Sequence, residues 1–291
     1  MPLVRVAGDT YVLRGSPSTL FYVGEGLYIV DPGHGKKRAK QIRKEISGHS
    51  RSGVYAIITH YHSDHHSALS HNIPLDSVAA PRKDAPMITD PYLRTSLTFG
   101  MPLSSGDPLL PFTAPSIDVD TLLEPGPYGP LKILPLPGHT LGQIGVETPD
   151  GVLYASDSLF GPRVLETYGV PYHFNPCMAE DTLESLLDYA GSIEALVPSH
   201  GPIARGDEIR GIVEMNLERV RDAWSRILDI LVEPRTVGEV AYLLASGYGV
   251  EPSPGMLMLV ETAVKGYISC RRDYFEVSSS PRGVLWRTSR S

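Results

Sequence analysis

The stretch Thr59-His60-Tyr61-His62-Ser63-Asp64-His65-His66 decides how this chain is read. It places four candidate metal ligands, His60, His62, Asp64 and His65, at the end of the apolar run Val54 to Ile58. In an extended segment the side chains of residues i and i+2 share a face, so His60 and His62 can reach one point together. A chain that turns into a helix at Ser63 swings Asp64 and His65 towards a second point, which is a layout for two cations. A His-rich tract can also be a solvated loop that binds metal by accident. The rest of the chain argues against that reading.

Working outward, single His and Asp residues recur at the ends of apolar runs. His139 sits in Leu136-Pro137-Gly138-His139-Thr140, Asp157 in Tyr154-Ala155-Ser156-Asp157-Ser158, and His200 in Val197-Pro198-Ser199-His200-Gly201. Each precedes a turn-forming or small residue, the setting in which a strand delivers a functional side chain to a sheet edge.

Together these residues resemble the metallo-β-lactamase-fold hydrolase superfamily, in particular its glyoxalase II-like branch, and Val30-Asp31-Pro32-Gly33 resembles the superfamily's first acidic motif. The resemblance implies that His60, His62 and His139 hold a first metal, that Asp64, His65 and His200 hold a second, and that Asp157 bridges them. Asp64, which can also orient the nucleophile, and Asp157 are then the catalytic candidates. One departure is visible: the family pattern has Gly after the variable residue that follows His65, whereas His66 is followed here by Ser67 and Ala68. A slightly repacked helix start is expected. Imidazoles and carboxylates without thiolates suit two Zn²⁺, with Fe or Mn as substitutes.

Short strands are expected over residues 3–6, 10–13, 18–23 and 27–30, with Gly24-Glu25-Gly26 as a hairpin turn. Asp31 then reads as a turn former or as a carboxylate that orients a ligand imidazole. Residues 36–47 predict a surface helix with a solvated basic face, closed by Gly48; His34 and His49 are expected at the surface. Strands over 54–59 and 77–80 flank a helix that starts at Ser63 and continues to Ser70. Residues 81–130 are rich in Pro, Gly and Ser and hold one expected helix within 91–101. An insertion there would wall the mouth of the site and shape substrate choice.

Strands over 132–136, 143–148 and 152–156, with Asp150-Gly151 as a turn, form a second cluster, followed by a helix over 181–189 and a strand over 193–197. Tyr168, Tyr172 and His173 leave Asp157 directly and should run past the metals as substrate or supporting contacts; His173 reads equally as a loop histidine satisfied by its neighbours. Two strand clusters flanked by helices predict an α/β fold, a four-layer αββα sandwich, over residues 1–205. The resemblance implies the same fold. A long helix over 206–233 leads to helix, helix and hairpin over 234–291, which looks like the winged-helix appendage of some members.

At 291 residues the chain can bury a full core, and its net charge of −7 does not advertise nucleic-acid or membrane binding. Cys177 and Cys270, 93 positions apart, imply neither a disulfide framework nor a thiolate zinc site. No signal peptide or membrane span is visible, so a soluble cytoplasmic protein is expected. Six basic residues against two acidic ones over 262–291 are compatible with RNA contact, with a solvated rim, or with a homodimer or lid surface. Three function classes follow. The first is a hydrolase that uses a metal-bridging hydroxide on a small thioester, lactone or related acyl compound. The second is a single-strand-specific endoribonuclease with the same metal site, and the third an iron-dependent redox protein.

Overall fold

A computed structural model describes residues 3–48, 52–104, 106–110 and 114–289; His49 and Arg290 lie outside them. One sheet runs in chain order through β1 (Leu3–Ala7), β2 (Thr10–Leu13), β3 (Thr19–Val23), β4 (Leu27–Val30), β5 (Val54–Ile57), β6 (Ser77–Pro81) and β7 (Thr121–Leu123). Its first four strands are antiparallel neighbours, while β4 to β7 are parallel. Parallel pairing needs crossovers, and these carry α1 (Gly35–Ser47), α2 (Ser63–His66), α3 (Ala85–Thr89) and α4 (Pro91–Phe99). The second sheet contains β8 (Gly126–Tyr128), β9 (Leu131–Pro135), β10 (Ile144–Glu147), β11 (Val152–Ser156) and β12 (Ala195–Pro198), with α5 (Pro162–Tyr168) and α6 (Pro176–Tyr189) in the crossover between its last two strands.

Alternation along the strands assigns the layers. Leu20, Val30, Ile57, Val152, Tyr154 and Val197 point between the sheets and form one core. Their neighbours Phe21 and Ile29 face α1 with Ala39 and Ile42, while Leu153, Ala155 and Leu196 face α6 with Leu183 and Leu186. Strands apolar on both faces require a layer on each side, and the result is the expected αββα sandwich.

The C-terminal region begins with α7 (Asp207–Ile230), whose stripe Ile209, Val213, Leu217, Val220 and Ile227 is buried. It continues through α8 (Val237–Gly247), α9 (Pro254–Cys270) and the hairpin of β13 (Phe275–Ser280) and β14 (Gly283–Thr288). Thr236 and Glu239 form a capping box on α8, and Ser253 caps α9 ahead of Pro254. These helices share one apolar cluster with the outer face of the second sheet. Helix α9 packs against both α6 and α4, and Thr262 Oγ1 donates to the Thr98 carbonyl at 3.1 Å.

Several expectations are corrected. Cys177 on α6 and Cys270 on α9 form a disulfide with Cα atoms 6.1 Å apart, because helix packing brings together residues that their spacing leaves distant. Arg38 leaves the solvated face of α1 and is buried, donating to the carbonyls of Leu13 at 3.1 Å and Pro17 at 2.7 Å. The helix after Ser63 breaks at His66, whose φ of −135° leads into a 3₁₀ turn over Ser67–His71. Helix α6 starts at Pro176, earlier than expected, because Asn175 caps it. Residues 81–130 hold α3, β7 and β8 besides α4, and the Tyr-rich stretch contains α5. No helix among the described residues is long and apolar enough to cross a membrane.

Candidate active site

The ends of β4, β5 and β11 meet at one edge of the sandwich, and Asp31 ties them together. With its backbone held at φ 49°, its carboxylate accepts from Thr59 N at 2.8 Å and Thr59 Oγ1 at 2.7 Å. It also lies 2.7 Å from His65 Nδ1. A non-glycine residue at positive φ costs of order 1–3 kcal/mol and persists only where its surroundings hold it. Here three buried hydrogen bonds do so, and the side chain orients a candidate ligand as the first acidic motif implied.

All seven sequence-predicted ligands converge. The donor atoms of His60, His62 and His139 lie within 4.8 Å of one another, as do those of Asp64, His65 and His200. Asp157 Oδ2 stands between the two groups, 3.3 Å from His139 Nε2, 3.4 Å from His65 Nε2, 3.6 Å from His200 Nε2 and 4.0 Å from His60 Nε2. Asp64 Oδ2 lies 3.4 Å from His200 Nε2 and 3.8 Å from His65 Nε2.

Four of the five rings have a partner on the nitrogen facing away from this centre, while His62 Nε2 is buried without one. His65 Nδ1 meets Asp31, His139 Nδ1 donates to the Tyr172 carbonyl at 2.7 Å, and His200 Nδ1 lies 2.6 Å from Ser16 Oγ. His60 Nδ1 lies 3.2 Å from Thr59 Oγ1. Such contacts fix ring orientation and leave Nε2 to the centre. His62 is reversed: its Nδ1 faces His139 Nε2 at 2.8 Å. The Nε2 atoms of His60 and His65 are buried without a hydrogen-bond partner. Orphaned buried polar atoms are rare and costly, and together with the two carboxylates they fit a pair of divalent cations.

Against their burial, Asp157 and the neighbouring carboxylates hold His65 and His200 above the usual histidine range, so a cation bound there would displace protons. Burial, then the neighbouring imidazoles, hold His60 and His62 well below the usual histidine range, so both rings are neutral. Burial alone would raise the Asp157 carboxyl, but His200, His65 and His139 outweigh it and keep it ionised. Asp64 is likewise held low by His65 and His200 against its burial.

The remaining sequence candidates separate. Tyr172 packs its ring 5.3 Å from those of both His62 and His139. Tyr168, 51% exposed, stands on the wall of the adjoining chamber. His173 is buried behind His139, ring centres 6.0 Å apart, and is not among the residues lining that chamber; its two ring nitrogens have no hydrogen-bond partner among the described residues. Two supporting residues escaped the sequence reading. Ser16 lies in a loop with no motif. Asp84 Oδ2 accepts from Tyr61 N at 3.1 Å and Thr140 Oγ1 at 2.6 Å, bracing the His60–His62 segment against the His139 turn, and burial pushes its carboxyl up to about 6. In that turn Gly138, at φ 135°, lies so close to Ala179 that a Cβ would come within 2.5 Å of its backbone.

A chamber of about 810 Å³ opens from the histidine cluster, with His62, Asp64, His139, Asp157 and His200 at one end. Phe160 and Leu165 line one side, Phe99 of α4 another, and Met256, Leu259 and Ala263 of α9 a third. The insertion over 81–130 therefore does wall the site, in company with the C-terminal region.

A model of the metallo-beta-lactamase superfamily matches residues 11–200. No curated protein matches. Among solved structures, a metallo-beta-lactamase family protein from Thermus thermophilus is 16% identical with a TM-score of 0.67, the likeness covering 99% of this chain and 97% of that one. A beta-lactamase domain protein from Burkholderia ambifaria is 15% identical with a TM-score of 0.67, covering 99% and 93%. A metallo-beta-lactamase from Pontibacter korlensis, 15% identical with a TM-score of 0.55, covers 76% of this chain and 99% of its own.

Proposed function

The chain belongs to the metallo-beta-lactamase superfamily, and from that premise we propose that it is a dinuclear-metal-dependent hydrolase of a small thioester, lactone or related acyl compound. The observation that carries this reading is Asp157 Oδ2 lying within 4.0 Å of four imidazole Nε2 atoms drawn from both halves of the sandwich. His60, His62 and His139 would hold one cation, Asp64, His65 and His200 the other, and Asp157 both. Two such ions, with zinc the best match to the donor set, supply Lewis acidity and a nucleophile acidified at neutral pH. Asp64, ionised and facing the chamber, is placed to orient that nucleophile. The chamber of about 810 Å³ that adjoins the cluster has room for a small molecule.

The endoribonuclease reading has less support. Much of the basic C-terminal segment is used internally: Arg271 stacks on Trp224 and pairs with Glu180, Arg272 stacks on Trp286, and Arg282 pairs with Glu239. A panel of thioesters, lactones and single-stranded RNA, run on protein whose metal content has been measured, tests the assignment. Acyl hydrolysis dependent on zinc is expected. RNA cleavage as the fastest reaction would replace this reading, and iron with no hydrolysis would favour the redox one.

A further inference from the structure

We propose that the acyl group taken by this site is a neutral, extended apolar chain laid along α9, with its carbonyl at the histidine cluster; this rests on the hydrolase reading above. The chamber changes character away from the cluster. Its one charged lining side chain there is Arg94. That guanidinium donates Nη1 to the Met87 carbonyl at 3.1 Å and Nη2 to that of Ala114, while its Nε is buried without a partner. The lining hydroxyls of Thr95 and Thr98 are likewise bonded within or beside α4. Most of the remaining wall is carbon, with Phe99, Leu109, Val164, Met256 and Leu259 on it, and an anionic group laid along those side chains would lose its hydration without recompense.

Size points the same way. About 810 Å³ lies towards the upper end of the ~300–1,000 Å³ usual for ligand pockets, far more than a two-carbon acyl group fills. Helix α9 sets the depth. Leu259, half-buried on that wall, borders the open space, whereas Ala263 one turn on is fully buried in the core. Further along, Gly255 lets the helix approach the Leu109 carbonyl so closely that a Cβ would sit 2.8 Å from it, which closes that side. The C-terminal region therefore measures the substrate while the sandwich reacts with it.

The test is a series of thioesters sharing one thiol, with straight acyl chains from acetyl to palmitoyl, on zinc-loaded full-length protein. Each methylene buried contributes about 0.8 kcal/mol, so kcat/KM is expected to rise about fourfold per carbon until the chamber is full and then fall. Leu259→Trp should move the optimum to shorter chains. Leu259→Ala, which removes bulk and is less demanding to fold, should move it to longer ones. A second readout needs no turnover: binding of a fluorescent N-dodecyl dansyl amide to the metal-free protein, weakened tenfold or more by Leu259→Trp. Turnover flat in acyl length with no amide binding overturns the proposal and leaves the hydrolase reading standing. Dependence on the alkyl length of the thiol alone also overturns it. Amide binding with no hydrolysis of any acyl compound sinks the hydrolase reading and leaves a chain-binding chamber.

Discussion

The two ends of the chamber are held by opposite physics. At the histidine end, four of the five ligand imidazoles are oriented by a hydrogen-bonding neighbour, through Asp31, Thr59, Ser16 and the Tyr172 carbonyl. At the α9 end the wall is formed by Met256 and Leu259, apolar side chains that border the open cavity. Hydrogen-bond geometry is intolerant of displacement, whereas apolar surface tolerates exchange if volume is kept. On the proposed function, reaction and selectivity would be separated, so that one could be altered without the other.

The severest break in that comparison is Asp157→Ala. It removes the group between both sets of imidazoles, and we expect metal content to collapse and acyl turnover to fall by about a hundredfold or more, read by elemental analysis and kinetics. Leu259→Ala at the other end should leave metal content as it is. Asp31→Ala is expected to lower metal affinity by about 10–100-fold, measured by chelator competition, since it frees the ring of His65. Replacing Cys177 and Cys270 with Ser should cost about 2–4 kcal/mol in urea unfolding while metal binding persists, because the bridge ties α6 to α9 and touches no ligand.

The smallest effect is a pH dependence. Asp84 is raised in the folded chain to about 6 by burial, above the ~3.9 of an unfolded aspartate. Its contribution to stability is therefore complete below pH ~4 and is lost as pH rises through about 6. Measured on metal-free protein, the wild type should lose stability relative to Asp84→Asn across that window. A constant difference would mean that Asp84 does not titrate there.

How far each end was legible follows from the same contrast. The ligands advertise themselves, since His60, His62, Asp64 and His65 share one segment and His139, Asp157 and His200 each close an apolar run. The layers were readable because two clusters of short apolar strands are each flanked by helical stretches. What stayed hidden was set by distant neighbours. The pairing of Cys177 with Cys270, the contact of Ser16 with His200 and the bracing by Asp84 depend on packing between elements that carry no local mark. The burial of Arg38 likewise depends on three carbonyls of the loop after β2 and of β2 itself, invisible from helix periodicity. The chamber wall is the extreme case, an apolar surface assembled from α4, α5 and α9 whose residues resemble any other core.

His60, His62, Asp64 and His65 ride on the first sheet, while His139, Asp157 and His200 ride on the second. A cation gripped from both sides is a ligand of the folded state alone, so its binding free energy is coupled to keeping the two halves docked. With free ion at a hundred times its dissociation constant the linkage is worth about 2.7 kcal/mol, and it grows only logarithmically beyond that. Ion supply would then govern how long the sandwich survives as well as how fast it works.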